Sequence, residues 1–214
     1  MAGETGRQLT VRTLRRAARE LAAANPQLAA SVERYGPPPL WSREPSYATL
    51  VHLILEQQVS LASAQAAFDR LRTTLGGSIE PAGVLALSDA ELRTIGFSRQ
   101  KTGYVRTLAS AMLEGFDVGA LAAMPDDEVR QALIAMPGIG PWTADIYLTM
   151  CLLRPDVWPH GDLALATSAR DLLELDERPT FAELGVIAER WHPYRSIAAR
   201  ILWHDYLRRR DLPV

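Results

Sequence analysis

Apolar residues recur along this chain at spacings of three and four, the period of a helix face, and no run alternates at two as a half-buried strand would. The pattern predicts helices over residues 10–24 and 26–35, after which Gly36-Pro37-Pro38-Pro39 breaks the chain. From Ser46 the apolar positions Leu50, Leu53 and Ile54 lead into Glu56-Gln57-Gln58-Val59-Ser60, and Ser60 is placed to cap a helix reaching about Leu75. Gly76-Gly77 ends that helix. Ser88-Asp89-Ala90-Glu91 has the form of a capping box and opens a short helix that stops at Gly96. Ser98 caps the next, which ends at Gly115. Further helices are predicted over 126–135, 141–153, 162–173, 181–191 and 193–210, with Pro141 in a first turn, where its missing N–H costs nothing, and Pro155 as a stop. The expected fold is therefore all-α, in two helical lobes with a cleft between them. Residues 1–48 and 170–214 would form one lobe, and 49–169 the other.

Composition narrows the class. Of the 214 residues, 48% are hydrophobic and 22% charged, an ordinary globular balance rather than a disordered one. No apolar run approaches the roughly 18 residues that a membrane span needs, so no membrane partner is expected. The first residues, 1–9, lack the apolar core of a secretory signal. Cys151 stands alone, which rules out an intramolecular disulfide and a four-cysteine metal or iron–sulfur site. These features predict a cytoplasmic protein, nucleoid-associated in a bacterium, with a nuclear location as the other reading. The net charge of −2 lacks the basic balance common in nucleic-acid binders, so any such contact has to be a local basic face. All but one of the 23 basic residues are arginine, the better bidentate phosphate partner; the exception is Lys101. His52, His160, His192 and His204 have no zinc-ligand spacing.

The chemistry concentrates in two stretches. Met136-Pro137-Gly138-Ile139-Gly140-Pro141-Trp142-Thr143-Ala144 reads as a tight turn between helices, whose glycines bring backbone amides close to a ligand and suit phosphate oxygens. The same residues also read as a plain helix corner. Twenty residues beyond Trp142, Pro159-His160-Gly161-Asp162-Leu163 sets a lone carboxylate at a helix mouth. Asp162 is a good N-cap there, and a carboxylate facing a sugar can also stabilise developing positive charge.

These stretches, with Leu55-Glu56-Gln57-Gln58-Val59-Ser60 before them and Trp191-His192-Pro193-Tyr194-Arg195-Ser196 through Trp203 after them, occur in the order found in the helix-hairpin-helix DNA glycosylases. Across residues 46–206 the chain resembles that superfamily, and within it the alkylpurine branch, the 3-methyladenine DNA glycosylase II type. Larger relatives carry an N-terminal β-rich domain, and the chain looks like a compact form without it.

The resemblance implies an enzyme that flips alkylated purines out of double-stranded DNA and hydrolyses their N-glycosidic bond, in base excision repair. Asp162 matches the catalytic aspartate. Pro137, Gly138, Ile139, Gly140 and Thr143 match the DNA-binding hairpin. Trp142 stands where strand-cutting relatives carry a nucleophilic lysine, which implies hydrolysis by water with no lyase step; Lys101 reads as an exposed residue at a helix start. Trp142 and Trp203 match base-pocket positions, Ile146 stands where a tyrosine is often found, and Tyr147, Trp41 and Tyr47 are further candidates for that pocket. N-alkylated purines are cationic and stack on electron-rich rings for about 0.5–2 kcal/mol. Gln58 falls at the wedge position that fills the gap left by the flipped base, and equally reads as a helix cap. No cofactor is required, although the main-chain carbonyls of Ile134, Met136 and Ile139 match a Na+ or K+ site. Trp191 reads as core, Arg195 as a structural or backbone contact and His160 as a loop residue. The chain is expected to act as a monomer. The alternatives are a glycosylase for etheno or deaminated bases, a non-catalytic damaged-DNA-binding module, and a helical interaction protein with a fortuitous hairpin.

Overall fold

The computed structural model describes residues 8–213; residues 1–7, on which part of the signal-peptide reading rests, lie outside the described residues. In chain order the helices are α1 (Val11–Ala24), α2 (Pro26–Tyr35), α3 (Tyr47–Glu56), α4 (Leu61–Thr74), α5 (Pro81–Ala86) and α6 (Asp89–Ile95). They continue with α7 (Arg99–Leu113), α8 (Asp126–Ile134), α9 (Pro141–Ile146), α10 (Leu163–Leu172), α11 (Phe181–Ala188) and α12 (Arg195–Arg209). No strand occurs among the described residues, so the fold is all-α as expected. None of these helices is long and apolar enough to cross a membrane.

Local chemistry explains most boundaries. Ser46, Ser60, Ser88, Ser98 and Thr180 each accept an N–H of the first turn through the side-chain oxygen, which satisfies a donor the helix cannot. Ser88 and Glu91 complete the capping box expected from the sequence. Three expectations need correction. The helix expected over 141–153 is α-helical only to Ile146, then widens into a π-helical turn over Tyr147–Cys151 and closes with Arg154 N on the Leu148 carbonyl. The helix expected over 181–191 stops at Ala188 and tightens into a 3₁₀ turn, Glu189–Trp191. Helix α5 was not expected; its six residues bury only Val84, too little to produce a periodic pattern.

The chain divides into two compact units. One comprises Arg43–Tyr147, and the other joins Met1–Ser42 to Leu148–Val214. The boundaries thus fall near 42 and 147 rather than at 48 and 169. The physical reason lies in α10, which packs on α12 and so belongs with the chain ends. In the Arg43–Tyr147 unit, α3 is the apolar centre, with Leu50, Val51, Leu53 and Ile54 fully buried against α4 and α7. In the other unit α12 is central and packs on α1, α2 and α10. Every residue from Ser196 to Asp205 is buried, so its polar side chains need internal partners. Ser196 exchanges hydrogen bonds with both backbone groups of Val157, and Asp205 accepts from Ser168 and Arg209. Arg200, with no exposed surface, donates through Nη2 to the Thr149 carbonyl at 2.7 Å, and burial pushes its pKa down to about 10.

Candidate functional site

In the Arg43–Tyr147 unit, α8 and α9 pack together and residues 136–140 turn the chain between them. The turn is closed by Ile139 N on the Met136 carbonyl at 3.0 Å, and the Ile139 side chain is buried beneath it. Gly138 sits at φ +89°, a region that side chains rarely adopt, and a Cβ there would run into the ring of Tyr104. Glycine is therefore required twice over at this position. Pro141 starts α9 and Thr143 is buried one turn in, while Pro137 is exposed at the tip.

The turn after α3 is fastened to this hairpin. Gln57 caps α3, and its side-chain Nε2 donates to the Gly138 carbonyl at 2.8 Å and to Thr143 Oγ1 at 3.0 Å. Lys101 is not the exposed residue its helix-start position suggests. Its Nζ reaches back to the carbonyls of Leu55 and Gln57 at 2.7 and 2.9 Å, satisfying the orphan acceptors at the end of α3. Partial burial holds its pKa below the ordinary lysine value. Arg43 forks onto both carboxylate oxygens of Glu56, at 2.7 and 3.0 Å. On this braced turn Gln58 takes a left-handed conformation, φ +58°, and stands exposed. Helix α3 ends at Glu56, and its C-cap contact is made by the backbone N–H of Gln57 on the Ile54 carbonyl rather than by Gln58.

In the second unit, Asp162 caps α10: its Oδ1 accepts Leu165 N at 2.9 Å, and the residue is 9% exposed. His160 lies exposed in the turn ahead of it. Six residues before Asp162, Asp156 gathers the later His192–Arg195 segment through His192 Nδ1 at 2.7 Å and Arg195 Nη2 at 2.9 Å. Burial raises the Asp156 pKa, but its bonds to Arg195 and His192 and the Arg195 charge outweigh that and hold it below the ordinary carboxylate value. Arg195 also pairs with Glu189 and is thus structural.

The aromatic candidates separate. Trp41 and Trp203 lie in the same unit as Asp162. Trp41 adopts a left-handed backbone, φ +43°, and meets the His204 ring edge-on at 6.3 Å. Trp203 is 8% exposed. Trp142, Ile146 and Tyr147 belong to the hairpin unit; Trp142 is half-buried and the other two are buried. Tyr47 is 3% exposed and donates its hydroxyl to the Val105 carbonyl, joining α3 to α7. Trp191 is core as expected, packed on Trp158 with ring centres 5.4 Å apart.

The three carbonyls matched to a cation site have acceptor capacity to offer. Met136 O takes one N–H and retains a lone pair, and among the described residues the carbonyls of Ile134 and Ile139 accept no backbone N–H. No cluster of His, Cys, Asp and Glu suited to a metal occurs among the described residues.

Residues 51–193 match the model of the HhH-GPD superfamily base excision DNA repair proteins. The chain belongs to that superfamily. The HhH-GPD match includes Gln58, the hairpin and Asp162, and leaves Trp41, Tyr47 and Trp203 outside. A Bacillus subtilis DNA-3-methyladenine glycosylase is 30% identical over 70% of the chain. The chain spans 54% of that relative's length and 65% of another from the same organism. Among solved HhH-GPD-like structures, a Bacillus halodurans DNA-3-methyladenine glycosidase is 29% identical with a TM-score of 0.73, covering 89% of this chain and 88% of that one. The Schizosaccharomyces pombe 3-methyladenine DNA glycosylase, solved in complex with abasic DNA, is 26% identical with a TM-score of 0.79, covering 88% and 95%. The HhH-GPD site also contains residues that sequence reasoning passed over, Gln57 and Tyr104 above all. Two adjacent glutamines were visible, but which one turns inward depends on where α3 ends.

Proposed function

We propose that the protein is a monofunctional DNA glycosylase that flips N-methylated purines out of duplex DNA and hydrolyses their glycosidic bond, leaving an abasic site. The observation that carries this reading is Asp162, a buried carboxylate fixed by Leu165 N at the mouth of α10, inside the family-matched region. As the base departs, the deoxyribose gains oxocarbenium character, and the Asp162 carboxylate supplies the opposing charge and orients the attacking water. An N-methylated purine is already cationic and leaves without a protein acid to protonate it.

The hairpin amides hold a backbone phosphate, with Gly138 and Gly140 permitting close approach, and a Na+ or K+ ion on the carbonyls of Ile134, Met136 and Ile139 would add positive field there. Gln58, exposed on its braced turn, fills the vacated stack. Trp203, in the unit that carries Asp162, offers the cationic base a ring to stack on. A lyase step is not part of this reading. The hairpin carries Trp142 where an attacking amine would stand, and the single lysine has its amine on two carbonyls at the end of α3.

The test is release of free base from methylated duplex DNA by wild type and Asp162→Asn. Release of methylated purines by wild type, lost in the variant while DNA binding persists, supports the reading. Binding without release by wild type makes the protein a damage-binding module, and release of etheno or deaminated bases instead moves the substrate class.

A further inference from the structure

Helix α1 carries four arginines, Arg12, Arg15, Arg16 and Arg19, and all four are exposed. At helical spacing they fall within an arc of roughly 100°, opposite the arc of Leu14, Ala17, Ala18 and Leu21 that the same helix buries. The stripe runs about 10 Å along the axis at 1.5 Å per residue, which spans roughly three phosphates of one strand of a duplex. Among the described residues the only carboxylate paired with it is Glu20, on Arg16 at 3.5 Å.

The net charge of the chain is −2, and exposed arginines outside carboxylate pairs also occur elsewhere, as at Arg93, Arg178, Arg208 and Arg210, but among the described residues four on one helix face occur in α1 alone. Arg43, Arg106, Arg130, Arg170, Arg195 and Arg209 each hold a carboxylate at 2.6–2.9 Å and are committed to internal structure. The hairpin, residues 134–144, contains no basic side chain, so contacts there come from backbone amides. Side-chain charge for the DNA backbone has to come from elsewhere. Arginine suits that task because its fork matches phosphate oxygens and stays charged at any working pH.

We propose that the outer face of α1 is a second, sequence-independent contact surface for the phosphate backbone of duplex DNA, separate from the hairpin. It rests on the reading of the protein as a DNA enzyme, but assigns α1 to holding undamaged duplex and no part in bond cleavage. Its effect is to raise affinity for DNA at large, and so the time spent on it between lesions.

The test uses the full chain, an undamaged duplex of about 30 base pairs, and binding measured across a series of salt concentrations. Each phosphate neutralised contributes about 0.9 to the slope of log affinity against log salt. The triple variant R12Q/R15Q/R19Q should lose two or more from that slope and bind at least tenfold more weakly at low salt. Single-turnover base release from a short lesion-bearing duplex at saturating enzyme should be unchanged. A second triple variant, R72Q/R93Q/R178Q, removes the same charge elsewhere and should leave the slope intact. An unchanged slope in the α1 variant overturns the proposal and leaves the stripe to an acidic protein partner or to solubility. An equal fall in both variants overturns it too, since net charge would then be the cause. If wild type releases no base yet the slope still falls only in the α1 variant, the glycosylase reading fails and the contact surface stands.

Discussion

The side-chain amide of Gln57 donates to the Gly138 carbonyl at 2.8 Å, and one residue thereby ties the turn bearing Gln58 to the hairpin bearing the glycines. A second bond, to Thr143 Oγ1, fixes the amide's orientation. The phosphate contact proposed for the hairpin and the wedge role proposed for Gln58 would then share a rigid connection.

Gln57→Ala removes both bonds and leaves a buried hydroxyl and a carbonyl less well satisfied. At about 1 kcal/mol per bond, unfolding free energy should fall by about 1–2 kcal/mol. The functional signature is selective. Single-turnover release should slow several-fold for a methylated purine in a fully paired duplex, and much less for the same base opposite an abasic site, where flipping costs less. Equal slowing on both substrates would mean that Gln57 does not act through the wedge.

Gly138→Ala meets two separate obstacles, a φ of +89° and the ring of Tyr104. The conformational part costs of order 1–3 kcal/mol, and the collision forces the hairpin or the ring to move. DNA affinity should fall at least tenfold. Adding Tyr104→Ala should restore part of the loss, because it clears the space but not the backbone strain. A double variant no better than Gly138→Ala would show that strain alone matters, and full restoration would show that it does not.

How far these relationships could be read in advance depends on their range along the chain. The serine and threonine caps act over three residues, so Ser60, Ser88 and Ser98 were legible as helix starts. The hairpin and Asp162 stood out through the resemblance of their stretches, in order, to the helix-hairpin-helix glycosylases, since the same residues alone also read as a plain helix corner and an N-cap. The role of Lys101 was not, since its partners lie 44 and 46 residues away and nothing local marks them. The hydroxyl bond of Tyr47 was hidden for the same reason, because its acceptor, the Val105 carbonyl, lies 58 residues on. The π-helical turn after Ile146 was hidden because the 141–153 segment is mostly apolar, and periodicity cannot reveal where backbone bonds slip. The division at residue 147 follows from α10 packing on α12, a long-range preference that no linker composition announces.

The cap that Asp162 makes and the catalytic charge proposed for it can be separated by substitution. Asn keeps a side-chain oxygen to accept Leu165 N, so Asp162→Asn should stay within about 0.5 kcal/mol of wild type in unfolding free energy, whereas Asp162→Ala loses the cap and about 1 kcal/mol. Both should lose base release by at least a hundredfold, since neither supplies a negative charge. Thermal unfolding alongside single-turnover assays checks this. An active Asp162→Asn enzyme would sink the electrostatic role.

Acid should weaken the fold in two stages. His204 is 3% exposed; burial lowers its pKa first, Arg208 lowers it further, and Asp205 only partly opposes them. Arg208 Nε lies 3.3 Å from His204 Nε2, an arrangement that needs a neutral ring as acceptor. His52 is shifted the same way, again mainly by burial. For both rings the unfolded chain binds a proton near pH 6.5 that the folded chain resists, so stability is full above 6.5 and declines as pH falls below it. Asp156 acts lower. Its folded pKa lies below the ordinary 3.8, so its contribution is complete above that value and is lost only as pH falls through the folded pKa. Urea unfolding from pH 8 to pH 5 should therefore show a decline that His204→Gln and His52→Gln each reduce, and that Asp156→Asn leaves unchanged in slope. A flat profile across that range in wild type would rule out neutral histidines as a requirement of the fold.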